Sequence, residues 1–261
     1  MNKLYTAYKY LLYRFQSVDE HGVHSPFVFN LLLNVIYNKV KFYNYIKIEE
    51  LRSKLLVSNQ EISITDMGAG STKGIKKARK VKEIALHSAK SAKYGQLLFR
   101  LVNHFQPKTI LELGTSLGIS TSYLASVNSE SEIFTIEGSE EIAKIAKNNF
   151  QELELTNIRS ISGNFDTELP ILLDRIDTLD FVFFDGNHRK EPTLRYFEQC
   201  LSKATEKSVF VCDDIYWSKE MTEAWEEIKK NAAVSVSIDL FFIGIVFFRK
   251  EQAKQHFVIK F

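Results

Sequence analysis

The sequence predicts an α/β fold: five parallel strands, an antiparallel final pair, helices on both faces, and a mainly helical N-terminal extension. Three observations predict it. From Thr109 onward, short apolar β-rich runs alternate with helical patterns. Strands separated by helices form a parallel sheet covered on both faces. The tail VSVSIDLFFIGIVFFRK (234–250) leaves no room for a crossover helix, so its two runs pair antiparallel through a tight connection near Leu240–Gly244. Residues 1–60, rich in Tyr, Phe and Leu, read as mostly helical.

Composition sets the outer bounds. The chain has 261 residues, 45% hydrophobic and 25% charged, enough apolar material for a sizeable core. No apolar run reaches the roughly 18 residues of a membrane span. The start, MNKLYTAYKYLLYRF, lacks the uninterrupted apolar core and small-residue cleavage site of a signal peptide. Cys200 and Cys212 make neither a disulfide framework nor, alone, a zinc site. The expectation is a cytoplasmic protein with reduced thiols. The net charge of +2 conceals an asymmetry: residues 1–108 carry 18 basic and 7 acidic side chains, the rest 16 and 25. A basic half joined to an acidic half suggests two units that attract each other, or a basic surface for an anionic partner.

Each element has its own signal. The Tyr-rich start (5–15) reads as a helix docking on the rest of the chain or on a second subunit, with a membrane-surface helix as the alternative. The loop DEHGVHSP (19–26) interrupts it, and Pro26 suits the first turn of a helix over 27–40. His21 and His24, near Asp19, read as packing or capping residues rather than metal ligands. Strands follow at 109–113, 132–137, 157–162, 179–185 and 207–213, with helices at 118–127, 139–153 and 192–204. In the second of these helices Ile142, Ile145, Ala146 and Phe150 share one face, and Ser139 with Glu140 and Glu141 marks its start.

Two stretches compete as cofactor loops. In ILELGTSLGIS (110–120) a strand ends in Glu112, then come Gly114, Thr115, Ser116 and Gly118, and a helix begins. Glycines let a ligand approach the backbone closely, and the helix start offers free N–H groups. The dinucleotide fingerprint requires G-x-G-x-x-G, which is absent. An acid inside the turn is ill placed for a pyrophosphate and well placed for an ammonium group. The next strand ends in Glu137, where an acid can accept both hydroxyls of a ribose. Acid, glycine turn and second acid describe a nucleoside bearing an amino acid, S-adenosylmethionine (SAM). The other stretch, DMGAGSTKG (66–74), is no P-loop, since Lys73 stands where glycine is needed. From Ser71 to Lys93 there are eight basic residues and one acid. This segment reads as a solvated connector or as a basic lid over an anionic substrate.

From about Ala92 the chain resembles the class I SAM-dependent methyltransferases, specifically the catechol and caffeoyl-CoA O-methyltransferase type. The carrying segments are 94–125, EIFTIEGSEE (132–141), DFVFFDGNHRK (180–190) and VFVCDDIYW (209–217), the last two also resembling a bacterial D-G-x-H branch. The resemblance implies a Rossmann-like methyltransferase sheet at 86–261, with 1–85 as a helical extension. It also implies a SAM site of Glu112, Gly114, Thr115, Ser116, Gly118, Ser120, Glu137, Gly138, Asn164, Phe165 and Asp185, with Asp166 closing the segment beside the adenine.

In the metal-dependent members, oxygen ligands come from an Asp after strand four and an Asp-Asn pair after strand five. Here those positions are Asp185, Asp213 and Asp214, a set suited to Mg²⁺. Asp214 in place of Asn is a departure from the pattern. His188 stands where the catechol-type enzymes carry a lysine base; it reads as a base or as a sheet-edge histidine. The tail 240–248 lacks the acid that would hold a second catechol oxygen, so catechol is not supported. Tyr216 and Trp217 read as acceptor-pocket lining or as plain packing. The expected activity is methyl transfer to a hydroxyl of a small or carrier-linked, anionic acceptor, with a homodimer compatible. Two alternatives stand beside it: RNA methylation using the basic N-terminal region, and a catalytically silent SAM-binding scaffold. The strand-four motif DGNH and the lack of an RNA-binding module speak against nucleic acid.

Overall fold

A computed structural model describes residues 3–65, 76–88 and 90–261. In chain order the elements are α1 (Lys3–Gln16), α2 (Pro26–Leu31), α3 (Tyr43–Val57), β1 (Glu61–Thr65), β2 (Lys76–Lys80), α4 (Val81–Ser88) and α5 (Ala92–Phe105). Then come β3 (Thr109–Leu113), α6 (Ile119–Ala125), β4 (Glu132–Glu137), α7 (Glu140–Glu152), β5 (Ile158–Ser162), α8 (Phe165–Leu173) and β6 (Leu179–Phe184). The chain ends with α9 (Lys190–Leu201), β7 (Ala204–Asp213), α10 (Lys219–Lys230), β8 (Val236–Asp239), β9 (Ile243–Phe247) and β10 (Gln255–Val258). They group into two compact units: Lys39–Leu172, and Met1–Asn38 with Leu173–Phe261.

In the unit Lys39–Leu172, β3, β4 and β5 run parallel, with Leu113 level with Ile136 and Glu137 level with Ser162. The buried Ile, Leu and Thr side chains of β3 and β4 suit a two-faced sheet, and α6 and α7 supply the crossovers. A buried cluster joins Tyr45, Ile48 and Leu51 of α3 to Ile84 of α4, Phe99 of α5, and Leu117, Ile119 and Tyr123 around the start of α6. The glycine turn is thus anchored from behind by apolar packing. Helix α5 approaches α6 so closely that a Cβ on Gly95 would fall 2.4 Å from the Tyr123 ring. Strands β1 and β2 pair antiparallel, Glu61 opposite Lys80 and Thr65 opposite Lys76. The basic stretch therefore contributes a strand and a helix, α4, that its charge pattern did not announce. The remainder of the lid segment and the first glycine stretch, 66–75, lie outside the described residues.

The other unit has the strand order β10-β8-β9-β7-β6. Strands β6 and β7 are parallel, β9 is antiparallel to both β7 and β8, and β10 adds a parallel edge to β8. The antiparallel final pair is as expected; β10 was not. Helix α1 docks through Tyr13, whose buried hydroxyl donates to the Ile259 carbonyl at 2.5 Å. The turn after α1 then pairs with the C-terminus, Val18 beside Ile259. Ser25 caps α2, with Pro26 in its first turn. The expected helix over 27–40 is shorter. After Leu31 it widens into a π turn, Leu32–Ile36, closed by Tyr37 N–H donating to the Leu32 carbonyl. The wide turn puts Leu31, Leu32, Val35 and Ile36 all inside the core, and helix ends there.

Candidate functional site

The parallel register brings the ends of β3 and β4 level. Gly114 and Thr115 N–H both donate to the Ile136 carbonyl, at 3.0 and 3.3 Å. The chain then reverses through Gly114, Ser116 and Gly118, with φ of 107°, 47° and 81°. For Ser116 this left-handed backbone costs about 1–2 kcal/mol. Its N–H donates to Glu137 Oε2 at 2.9 Å, which offsets the strain, and Ser139 N–H donates to Oε1 at 3.0 Å. Ser139 is the N-cap of α7, yet its side chain makes no capping bond. Gly163 N–H donates to the Glu137 carbonyl at 2.9 Å, seating 163–166 beside that acid. Asn164 Oδ1 accepts from Asp166 N–H at 2.9 Å as α8 begins. The unit Lys39–Leu172 thus gathers Gly114–Gly118, Glu137, Gly138 and Asn164–Asp166 around one set of strand ends.

Glu112 lies fully buried beneath this turn. Its Oε2 accepts from the Thr121 hydroxyl and from the Thr135 hydroxyl at 2.7 Å. Burial pushes its carboxyl up to about 7, while the hydroxyls of Ser120, Thr121 and Thr135 pull the other way. Burial also raises Glu137, against the pull of the Ser139, Ser116 and Gly138 amides. Three buried polar atoms here, Glu112 Oε1, Ser116 Oγ and Ser139 Oγ, have no hydrogen-bond partner among the described residues. Leaving such groups dry is costly, at about 1–3 kcal/mol each. Their presence around one acid-braced turn fits a ligand rich in donors and acceptors.

A second group sits in the other unit. Phe184 is level with Cys212, so Asp185 and Asp213 emerge together from the ends of parallel β6 and β7. The loop after β6 turns at Asn187, φ 53°, and returns His188 Nε2 to 3.8 Å from Asp185 Oδ1. One ligand atom each from Asp185, His188 and Asp213 lies within 4.8 Å of the others. Asp214, with φ 52°, is not part of that group. Tyr216 is a packing and bridging residue: its hydroxyl donates to Asp239 at 2.5 Å, and its ring lies 5.3 Å from Phe241. Trp217 is partly exposed, its ring 6.4 Å from that of His188.

Residues 111–215, which carry both groups, match the family described as Methyltransferase domain. That match runs from within β3 to just past the end of β7. Among curated relatives, a catechol O-methyltransferase of Niastella koreensis is 30% identical over 131 residues, 49% of this chain and 57% of that protein. A catechol O-methyltransferase of Mycobacterium tuberculosis is 28% identical over 133 residues, again 49% and 57%. The chain therefore spans a little over half the length of these relatives. The methyltransferase fold recurs in an O-methyltransferase of Bacillus cereus in complex with SAH: TM-score 0.57, 21% identity, 80% of this chain and 92% of that one. The SAM complex of the O-methyltransferase TomG from Streptomyces achromogenes gives TM-score 0.55 and 23% identity over 62% and 82%.

One buried acid of this unit carried no clear signal in the sequence. Asp239, at the end of β8, is fully buried and accepts from the Tyr216 hydroxyl and from Phe241 N–H at 2.8 Å. An acid closing the apolar run VSVSID was the available signal. His21 and His24 take no part in a cluster of metal-ligating groups among the described residues; Asp19 caps the turn at His21. No helix among the described residues is long and apolar enough to cross a membrane.

Proposed function

We propose that this chain is a SAM-dependent methyltransferase acting on a hydroxyl of a small or carrier-linked acceptor. The observation that carries this reading is the acid-braced glycine turn with three buried polar atoms awaiting partners. Glu112 would face the ammonium of SAM's methionine portion, Glu137 would accept the ribose hydroxyls, and Asn164–Asp166 would lie along the adenine. The Glu137 carboxylate accepts from the Ser116 and Ser139 N–H groups and is drawn on by the Gly138 amide, which leaves it lone-pair capacity for a ligand. Charge-assisted bonds of that kind contribute about 1.5–3 kcal/mol each.

Asp185 and His188 would act on the acceptor. His188 takes the hydroxyl proton, and the Asp185 carboxylate stabilises the imidazolium. The acceptor oxygen then attacks the methyl carbon in line, the C–S bond electrons go to sulfur, and SAH leaves. Positioning supplies much of the acceleration in such a displacement.

A second reading of the same residues is favoured by the approach of Asp213. Two carboxylates and an imidazole are a donor set that fits a divalent cation, with the nitrogen suiting Mn²⁺ or Zn²⁺ better than Mg²⁺. Bound there by Asp185, His188 and Asp213, a metal would lower the pKa of an acceptor hydroxyl. Ligation would use the histidine lone pair that otherwise takes the proton, so the two roles exclude one another. A methyl-transfer screen over hydroxyl acceptors, with and without divalent metal and with excess chelator, tests both. No transfer to any hydroxyl, together with no SAM binding by calorimetry, overturns the proposal; turnover retained in chelator removes the metal. The division into a 1–85 extension and an 86–261 catalytic domain, an anionic acceptor and a cytoplasmic location belong to the same proposal.

A further inference from the structure

Among the described residues of Leu173–Phe261, only two large apolar side chains are exposed, Trp217 at 39% and Phe242 at 42%. Both belong to the sheet end that carries Asp185, His188 and Asp213. Asp213 closes β7 level with Ile243, the first residue of β9, so the β8–β9 turn (240–242) lies beside it. Trp217 follows the end of β7 in the next loop, and its ring stands 6.4 Å from that of His188.

One buried carboxylate joins these two segments. Asp239 Oδ2 accepts from the Tyr216 hydroxyl at 2.5 Å, and Oδ1 accepts from Phe241 N–H at 2.8 Å. Trp217 and Phe242 are the next residues along the chain from the two donors. We propose that Asp239 is a positioning residue for methyl transfer: by holding Tyr216 and Phe241 it sets where Trp217 and Phe242 meet the acceptor. This rests on the reading above, in which Asp185 and His188 act on the acceptor.

Two features separate the brace from plain packing. First, Asp239 is fully buried, and burying a carboxylate is costly unless it is hydrogen-bonded. An apolar residue would pack against the Tyr216 and Phe241 rings without that cost, whereas an acid with two donors admits one arrangement of both segments. Second, left-handed backbone marks the same two segments, at Asp214 with φ 52° and Phe241 with φ 72°. Side-chain-bearing residues rarely adopt it, and it persists where surrounding contacts over-determine the fold, as functional sites do. At Phe241 this turn buries one ring, 5.3 Å from that of Tyr216, and leaves Phe242 facing outward.

Tyr216→Phe keeps the ring and removes the hydroxyl; Asp239→Ala removes both bonds. Each should lower kcat/KM for a hydroxyl acceptor about 10- to 100-fold, the scale of loss caused by a misplacement of about 1 Å. SAM affinity by calorimetry should stay at the wild-type value, because Glu112 and Glu137 belong to the unit Lys39–Leu172. The double variant should fall no lower than Asp239→Ala, since Tyr216 acts through Asp239. Val28→Ala, at a buried position on α2, lowers stability without touching the brace and should leave acceptor kinetics unchanged.

Acrylamide quenching of tryptophan fluorescence reads the loop without any acceptor. Trp225 is buried, so the quenchable signal is that of Trp217. Its quenching constant should rise toward that of a fully exposed side chain in Tyr216→Phe and Asp239→Ala, and stay unchanged in Val28→Ala. Wild-type acceptor kinetics or wild-type quenching in Tyr216→Phe overturns the proposal. So does an equal kinetic loss in Val28→Ala, which would reduce Asp239 to a source of stability. Should Asp239→Ala fail to fold, Tyr216→Phe decides alone. A wild type that binds SAM but methylates no hydroxyl overturns the hydroxyl reading instead, and quenching then decides for or against the brace.

Discussion

Replacing Gly118 with alanine should destabilise the chain and weaken SAM binding together, and the structure sets the size of the effect. Gly118 has φ 81°, a conformation that costs a non-glycine residue about 1–2 kcal/mol. The new methyl would also stand 2.4 Å from Phe150 Cε1, 2.8 Å from Cζ and 3.3 Å from Ala146 Cβ. Phe150 is buried on α7, so its ring cannot swing clear, and overpacking of this kind costs about 1–3 kcal/mol. The combined loss is about 2–5 kcal/mol, a fall in Tm on the order of 5–15 °C for a chain of this size. The second variant separates the two causes. Gly118→Ala with Phe150→Leu relieves the clash but not the backbone strain, so it should recover part of the Tm lost by Gly118→Ala, relative to Phe150→Leu alone. Differential scanning calorimetry supplies the Tm, and titration with SAM reports the turn. If Gly118→Ala keeps its Tm within about 1 °C and binds SAM as wild type does, both the contact geometry and the role of this turn are wrong.

Other outcomes follow from the same geometry. Glu137→Ala removes the acceptor for Ser116 and Ser139 N–H as well as the proposed ribose contact, so calorimetry should show SAM affinity reduced about 10- to 100-fold. Unchanged affinity would remove Glu137 from the site. Glu112 rises from 4.5 to about 7 on folding, so the folded state holds its proton more tightly than the unfolded state. That contribution, about 3 kcal/mol, is fully present below pH 4.5 and is lost as pH rises through about 7. Urea unfolding across this range should show the decline in wild type and a flatter profile in Glu112→Gln; identical slopes would contradict it. His188→Ala should lower kcat by about 100-fold or more at neutral pH with SAM affinity intact. A normal rate would place the proton transfer elsewhere.

The candidate site was legible where its residues lie at strand ends. Glu112, Gly114, Gly118 and Glu137 stand at fixed offsets from apolar runs, and glycine spacing with the chemistry of the two acids singled them out. The same logic singled out Asp185 and Asp213, each closing an apolar run, and the register of β6 and β7 sets Phe184 level with Cys212. It did not separate His188 from Asp214. Both sit in loops, and left-handed backbone at Asn187 and Asp214 decides which side chain joins the acidic pair. The brace between Asp239 and Tyr216 spans 23 positions, a pairing no local pattern encodes.

By itself, the sequence determined the class of fold: the alternation of strands and helices along the chain, the reversed final pair, the glycine turn with its two acids, and a helical start. Alternation of apolar runs with helical periods is a local signal, and so is the chemistry of a glycine turn. Tertiary structure decided what depends on partners. Lys76–Lys80 carries no strand pattern and becomes β2 only by pairing with β1; Gln255–Val258 becomes β10 only beside β8. Helix α1 is apolar on more than one face, and the sequence leaves open which of them is covered. Docking of Tyr13 against the C-terminal carbonyl of Ile259 settles it, because burying that face leaves Leu4, Tyr8, Leu11 and Phe15 turned to water.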